Sequence, residues 1–154
     1  MEITVDANVL ANASDESSSN YMDAISLLAV ILHKKHKIVL DHEKEIFKEY
    51  RKFVPPKFGA FTKKWLEEMS WSRFEFRSSK LNNSVKTIIS KMTFDRSDIK
   101  YLGVCLNSSD KTMISEDGRS FHSEDFHALI PEIITIVEFS NFSNLKTKEA
   151  LGKL

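Results

Sequence analysis

The chain opens Met1-Glu2-Ile3-Thr4-Val5-Asp6-Ala7-Asn8-Val9-Leu10. Ile3, Thr4 and Val5 are β-branched with no turn signal between them, the composition of a short buried strand. The run breaks at Asp6, with Asn8 two residues further on. Open α/β sheets place ligands and reacting groups at the carboxyl ends of their strands, so Asp6 reads either as a turn residue or as a ligand. Nothing local separates the two. The decision depends on whether other carboxylates reach the same place.

Working outward, residues 11–20 read as a polar loop rich in helix-capping side chains. Tyr21, Ile25, Leu28, Ala29 and Leu32 then share one helix face, and the cationic run His33 to Lys37 closes that helix where its dipole favours positive charge. Ile38-Val39-Leu40 is a second buried strand ending in a carboxylate, Asp41, which can cap the next helix. That helix carries Ile46, Phe47, Tyr50, Phe53 and Val54 inward and ends at Pro55-Pro56. Glu49 borders its apolar stripe instead of pointing squarely at solvent, with Glu45 one turn earlier.

Further along, Phe61 to Met69 is a predicted helix with Trp65, Leu66 and Met69 inward. Trp71 to Arg77 alternates in part, with an irregular connection as the alternative. Leu81 to Met92 has helical spacing. Asp95 to Asp98 starts a helix carrying Ile99, Leu102 and Leu106, with Gly103 permitting close packing. Thr112 to Ser115 is a short strand followed at once by Glu116-Asp117-Gly118. A short helix through Phe126, Leu129 and Ile130 is expected to stop near Pro131, and Ile133 to Phe139 is the last strand candidate. The order predicts a three-layer α/β/α sandwich with a central, mostly parallel sheet, related to the Rossmann architecture. Residues 1–142 form the expected domain and 143–154 a peripheral tail.

Composition fits this picture. At 154 residues the chain is long enough for one two- or three-layer domain, and 42% hydrophobic with 29% charged residues is ordinary for a globular protein. Four glycines and three prolines argue against a low-complexity chain. No apolar run approaches the ~18 residues that span a bilayer, and the acidic, strand-like start is unlike a signal peptide. Cys105 is the only cysteine, which suits a reducing cytoplasm. Net charge is zero, yet residues 31–100 hold 17 of the 22 Lys and Arg and only 9 of the 22 Asp and Glu. A basic middle beside acidic flanks suits a nucleic-acid face next to a metal-binding acidic site, or two solvated faces that neutralise each other. Trp65, Trp71, Phe74 and Phe76 interleaved with Arg73 and Arg77 could stack on and neutralise single-stranded nucleic acid, or simply form core.

In a parallel sheet the strand carboxyl ends share one edge, and the following helices begin there. Asp6, Glu49, Asp98 and Asp117, from four separated segments, can therefore reach one place. Clustered anions repel one another, so such a set implies a cation, and all-oxygen ligation favours Mg²⁺ or Mn²⁺ over Zn²⁺.

Four stretches carry a resemblance to the PIN-domain ribonucleases. Val5-Asp6-Ala7-Asn8-Val9-Leu10 resembles the family's strand-one Asp-x-Asn-Val-Leu motif. Ile46-Phe47-Lys48-Glu49-Tyr50 is similar to its Glu-Tyr helix, Asp98-Ile99-Lys100-Tyr101-Leu102-Gly103-Val104 to its aspartate-led helix, and Ile114-Ser115-Glu116-Asp117 to its Thr-x-Asp motif. They occur in the family's order across residues 3–121. Ser115 stands where the family has threonine, and Gly118-Arg119-Ser120-Phe121 replaces an acidic-aromatic continuation. The resemblance implies a PIN-like fold, with Asp6, Glu49, Asp98 and Asp117 as the catalytic, metal-holding set and Asn8 and Ser115 in support. Glu45 competes with Glu49, and Glu116 with Asp117. The implied activity is Mg²⁺- or Mn²⁺-dependent endonucleolytic hydrolysis of single-stranded RNA, with DNA left open. Arg51, Lys52, Arg73 and Arg77 are the expected phosphate contacts along the basic segment.

Other readings fare worse. A phosphate-cradling loop needs glycines that this chain lacks. A haloacid-dehalogenase-type phosphatase wants aspartate at the position of Asn8. His33 and His36 at a helix end are ordinarily solvated, and His42, His122 and His127 have no ligand spacing with Cys105. Beside the ribonuclease stand a PIN-fold binding module without catalysis and the toxin half of a toxin–antitoxin pair. A homodimer, or an antitoxin on a separate chain, is a partner the sequence leaves open.

Overall fold

Among the described residues, five parallel strands form one sheet: β1 (Glu2–Val5), β2 (Lys37–Asp41), β3 (Phe74–Arg77), β4 (Thr112–Ile114) and β5 (Ser143–Leu145), in the order β3-β2-β1-β4-β5. The computed structural model describes residues 1–53, 60–136 and 142–154. β1 is central, with Ile3 and Val5 buried on one face and Thr4 on the other, as its β-branched run requires. Its partners are β2, through Ile3↔Ile38, and β4, through Val5↔Ile114.

Two helices join β1 to β2, α1 (Ala7–Ala13) and α2 (Tyr21–His33), and two join β2 to β3, α3 (Glu45–Lys52) and α4 (Ala60–Ser72). The chain then returns across the sheet through α5 (Asn83–Ile89) and α6 (Ile99–Leu106) to β4, and goes on through α7 (Glu124–Ile136) to β5 and α8 (Thr147–Lys153). Right-handed crossovers running in opposite directions must lie on opposite faces. The packing agrees: α2 lies against α1, α4 and α8, whereas α6 spans β2, β1 and β4, and α5 meets α7. The result is a three-layer α/β/α sandwich, as predicted, with its sheet wholly parallel.

Several local expectations change. The polar loop is shorter than predicted, because Asp6 caps α1 by accepting the Asn8 amide at 3.2 Å, and the helix runs to Ala13 with Val9 and Leu10 buried. The most buried face of α2 is Ala24, Leu27, Leu28 and Ile31, a rotation from the expected stripe, since α1, α4 and α8 all pack on this helix. Phe53 is not an inward residue; Val54, Pro55 and Pro56 lie outside the described residues. Residues 74–77 are a regular edge strand, and β3 pairs with β2 through Phe74↔Ile38 to Arg77↔Asp41.

Pro131 does not stop its helix. It lies inside α7, where the carbonyl its missing N–H leaves unbonded belongs to exposed His127 and can face water. Ile133 is consequently a buried helical residue and not the start of a strand; residues 137–141 lie outside the described residues. The last strand is β5, and residues 143–154 are no peripheral tail. They supply that strand, beside β4, and α8, which packs on α2 with Ala150 fully buried.

Gly103 lets the loop after β3 lie directly against α6. A Cβ there would lie 1.9 Å from the Ser79 carbonyl oxygen, a backbone atom that cannot swing away. Asn107, at the end of α6, fastens the same loop by donating to the carbonyls of Ser78 (2.9 Å) and Lys80 (3.0 Å). Gly103→Ala is expected to destabilise the chain by about 3 kcal/mol, the upper range for overpacking, which would lower the melting temperature by ~6–12 °C in a calorimetric scan. A melting point within a degree of the original would show that the loop yields freely.

Candidate active site

In the strand order β3-β2-β1-β4-β5, the connection after β1 leaves toward β2 and the one after β4 leaves toward β5. The sheet's switch point therefore lies between the carboxyl ends of β1 and β4, where open α/β sheets form a crevice. Asp6 and Ser115 are the residues immediately past those ends. They are joined directly: the Asp6 amide donates to the Ile114 carbonyl at 2.8 Å, and the Ser115 hydroxyl donates to Asp6 Oδ2 at 2.7 Å. Asn8 completes the junction. Its Nδ2 donates to Asp6 Oδ2 at 3.0 Å, and its Oδ1 accepts the Glu116 amide at 3.2 Å. Ser115 Oγ in turn accepts the Asp117 amide at 3.0 Å, and Nε2 of His122 bonds the Ser115 carbonyl at 2.8 Å. Asp6, at 6% exposure, is thus held in one orientation.

Burial raises the Asp6 carboxyl most, the Ser115 and Asn8 hydrogen bonds pull it back, and the charges of Asp117 and Glu49 push it up again, to about 6. Asp98 sits at the N-terminal end of α6. It is pushed up to about 7, first by burial and then, against a hydrogen bond from Ser120, by Asp6 and by Asp117. Asp117 moves the other way. Burial raises it, but the Arg119 amide (2.8 Å to Oδ1), Asp98 and Ser120 all donate to it and hold it down. The two acids titrate as a coupled pair, Asp98 upward and Asp117 downward. Phe121, buried in a cluster with Phe94, Phe126 and Phe142, anchors the loop that carries Asp117.

Glu49 reaches the same cleft from α3, which Asp41 starts by accepting the Glu45 and Ile46 amides, each at 2.8 Å. The carboxylate pairs with Lys100 and accepts the Tyr101 hydroxyl at 2.7 Å. Tyr50 donates to the Val5 carbonyl. Burial, with the nearby acids, raises both phenols, so they remain neutral donors. The competing acids turn elsewhere: Glu45 pairs with Lys48, and Glu116 accepts the Thr147 amide at the start of α8 at 2.7 Å.

Asp6, Glu49, Asp98 and Asp117 line one cleft of about 520 Å³, together with Asn8 and the cations Lys52 and Arg119. Of the expected phosphate contacts, Lys52 lies on this cleft, whereas Arg51 is exposed and does not line it. Arg73 instead donates to the Leu32 carbonyl and Arg77 pairs with Glu2, so both are consumed by the fold. Lys100, Tyr101 and Arg119 are site residues that the sequence reading missed. The first two sit within the aspartate-led stretch, but their reach to Glu49 is a tertiary fact with no local signal.

Asp6, Asp98 and Asp117 have the all-oxygen donor chemistry of a site for a hard divalent cation, and the charges of their neighbours add to the burial that raises Asp6 and Asp98. Glu49 fits less well, because Lys100 and Tyr101 already occupy it. Among the described residues no three His, Cys, Asp or Glu side chains are gathered into a ready metal-binding group. Also among them, no helix is long and apolar enough to cross a membrane. Compared with protein-family models, curated proteins and solved structures, the chain has no significant match in any of the three.

Because Asp98 binds its proton more tightly in the folded than in the unfolded chain, the stability this gives is complete below the ordinary carboxylate range and lost as pH climbs through about 7. An asparagine there carries no such penalty and can still donate to Asp117. In EDTA, Asp98→Asn should melt ~2–4 °C above the parent at pH 8, solvent screening at the half-exposed Asp98 keeping the gain small. The gap should narrow toward pH 5. A gap that stays constant with pH would show that Asp98 is not the acid that titrates there.

Proposed function

We propose that this chain is a metal-dependent endoribonuclease of the PIN type, hydrolysing phosphodiester bonds in single-stranded RNA. The reading is carried by one observation: four acids from four separate segments meet in a single cleft at the switch point of a parallel sheet. The order of the motifs along the chain supports the family, and the preference for RNA rests on that resemblance.

Asp6, Asp98 and Asp117 would hold Mg²⁺ or Mn²⁺, which when bound lowers the pKa of a coordinated water and stabilises charge on the attacking and leaving oxygens. Asn8 and Ser115 fix the rotamer of Asp6, the role of groups that orient a ligand from behind. Asp98, whose carboxyl is pushed up to about 7, would have to give up its proton to solvent to serve as a ligand beside Asp6 and Asp117. Lys52 and Arg119, on the cleft wall, attract the flanking phosphates. Lys100 offsets part of the charge that Glu49 brings to the cleft.

The Glu49–Lys100 pair also favours a second reading, a PIN-fold binding module without catalysis, since it removes one acid from the metal-holding set. Mn²⁺-dependent cleavage of end-labelled single-stranded RNA separates the two. The parent protein should cleave, Asp6→Asn should lose about 100-fold or more, and Ser115→Ala about 10- to 100-fold. An inert parent, or an Asp6→Asn variant that cleaves equally well, would sink the nuclease reading.

A further inference from the structure

A second and larger cavity, about 830 Å³, opens beside the acidic cleft. The two share Ala11, Lys52 and Phe53 in their walls and therefore adjoin. Phe53, Phe61 and Tyr21 give the added cavity its aromatic wall. Phe53 is 38% exposed and Phe61 36%, whereas Tyr50 and Trp65 on the same two helices are buried. The Phe53 and Phe61 rings line the cavity and lie outside the core, Phe61 also bordering a smaller cavity beside Trp65.

The charges on the cavity walls decide its occupant. Lys52 stands at the junction with the acidic cleft, and Asp15 and Glu16 line the added cavity. A phosphate is attracted to the junction and repelled from the far side. An uncharged nucleobase meets no such repulsion, stacks on aromatic rings whatever its identity, and offers N–H donors to carboxylates. Asp15 is held ready by its own turn, accepting the Ser17 amide at 3.0 Å and the Ser17 hydroxyl at 2.7 Å.

We propose that this cavity is a nucleobase subsite, in which the base of a nucleotide next to the reacting phosphate stacks against Phe53 and Phe61 while Lys52 contacts the phosphate between them. The proposal rests on the nuclease reading for the position of the reacting phosphate. It adds that the protein grips unpaired RNA by a base and not by its backbone alone.

The test is the affinity of a fluorescein-labelled single-stranded RNA octamer, measured by anisotropy in EDTA. The same octamer is then used with one abasic nucleotide moved along it. Removing the base at one position should weaken binding by the parent protein about tenfold or more. The Phe53→Ala/Phe61→Ala variant should bind the intact octamer with the same loss and show no further loss on the abasic one. The abasic series needs no variant, so a folding defect cannot decide the result. Equal binding of every abasic octamer by the parent, or undiminished binding of the intact octamer by the variant, would overturn the subsite. So would a parent that binds no RNA. Base-dependent binding without cleavage in Mn²⁺ would keep the subsite and remove the nuclease reading, and cleavage without base dependence would do the reverse.

Discussion

The hydrogen bond from Ser115 to Asp6 closes the sheet at its switch point, and the rest of the site is arranged on it. Two adjacent parallel strands that send their chains in opposite directions leave a gap between their ends. Here a buried carboxylate and a buried hydroxyl span that gap, and Asn8 adds a bond to each side of it. Every other acid is placed relative to this junction: Asp117 by its amide on Ser115, Glu49 by the helix whose Tyr50 reaches the Val5 carbonyl, and Asp98 by the start of α6 on the same cleft. The stitch desolvates Asp6, which raises its proton affinity, and at the same time supplies the donors that moderate the rise.

That tension has a structural logic. Four neighbouring acids repel one another, and the fold tolerates them through the coupled titration of Asp98 with Asp117, the Ser115 and Asn8 donors to Asp6, and Lys100 and Tyr101 on Glu49. Each compensation is of a kind that a cation could displace. The hydrophobic layers beneath, above all the phenylalanine cluster under the Asp117 loop, supply the rigidity that keeps repelling groups in place.

Much of this was legible in the sequence because it depends on local signals. The β-branched run ending in Asp6, the strand ending at Ser115 and the helical stripe beside Glu49 each announce both an element and the residue at its end. Asp41 was legible as a cap for the same reason. What escaped depends on distance. Arg73 and Arg77 resemble a phosphate-binding pair until Leu32 and Glu2 are seen to take them. The pairing of Lys100 with Glu49 joins residues 51 apart. Pro131 carries a stop signal that solvent cancels, and misreading it shifted the last strand from 133–139 to 143–145 and hid the role of the final segment.

The final segment matters to the site in a way its sequence conceals. β5 covers the outer side of β4, and the Ser115 amide donates to the Leu145 carbonyl at 3.1 Å. Glu116, between Ser115 and Asp117, is held by the first turn of α8. Without β5, the strand that positions Ser115 would become the sheet margin and present an unpaired row of amides and carbonyls to any other extended chain. The last dozen residues thus act as the selvedge of the sheet: they keep the strand that carries Ser115 from becoming its margin.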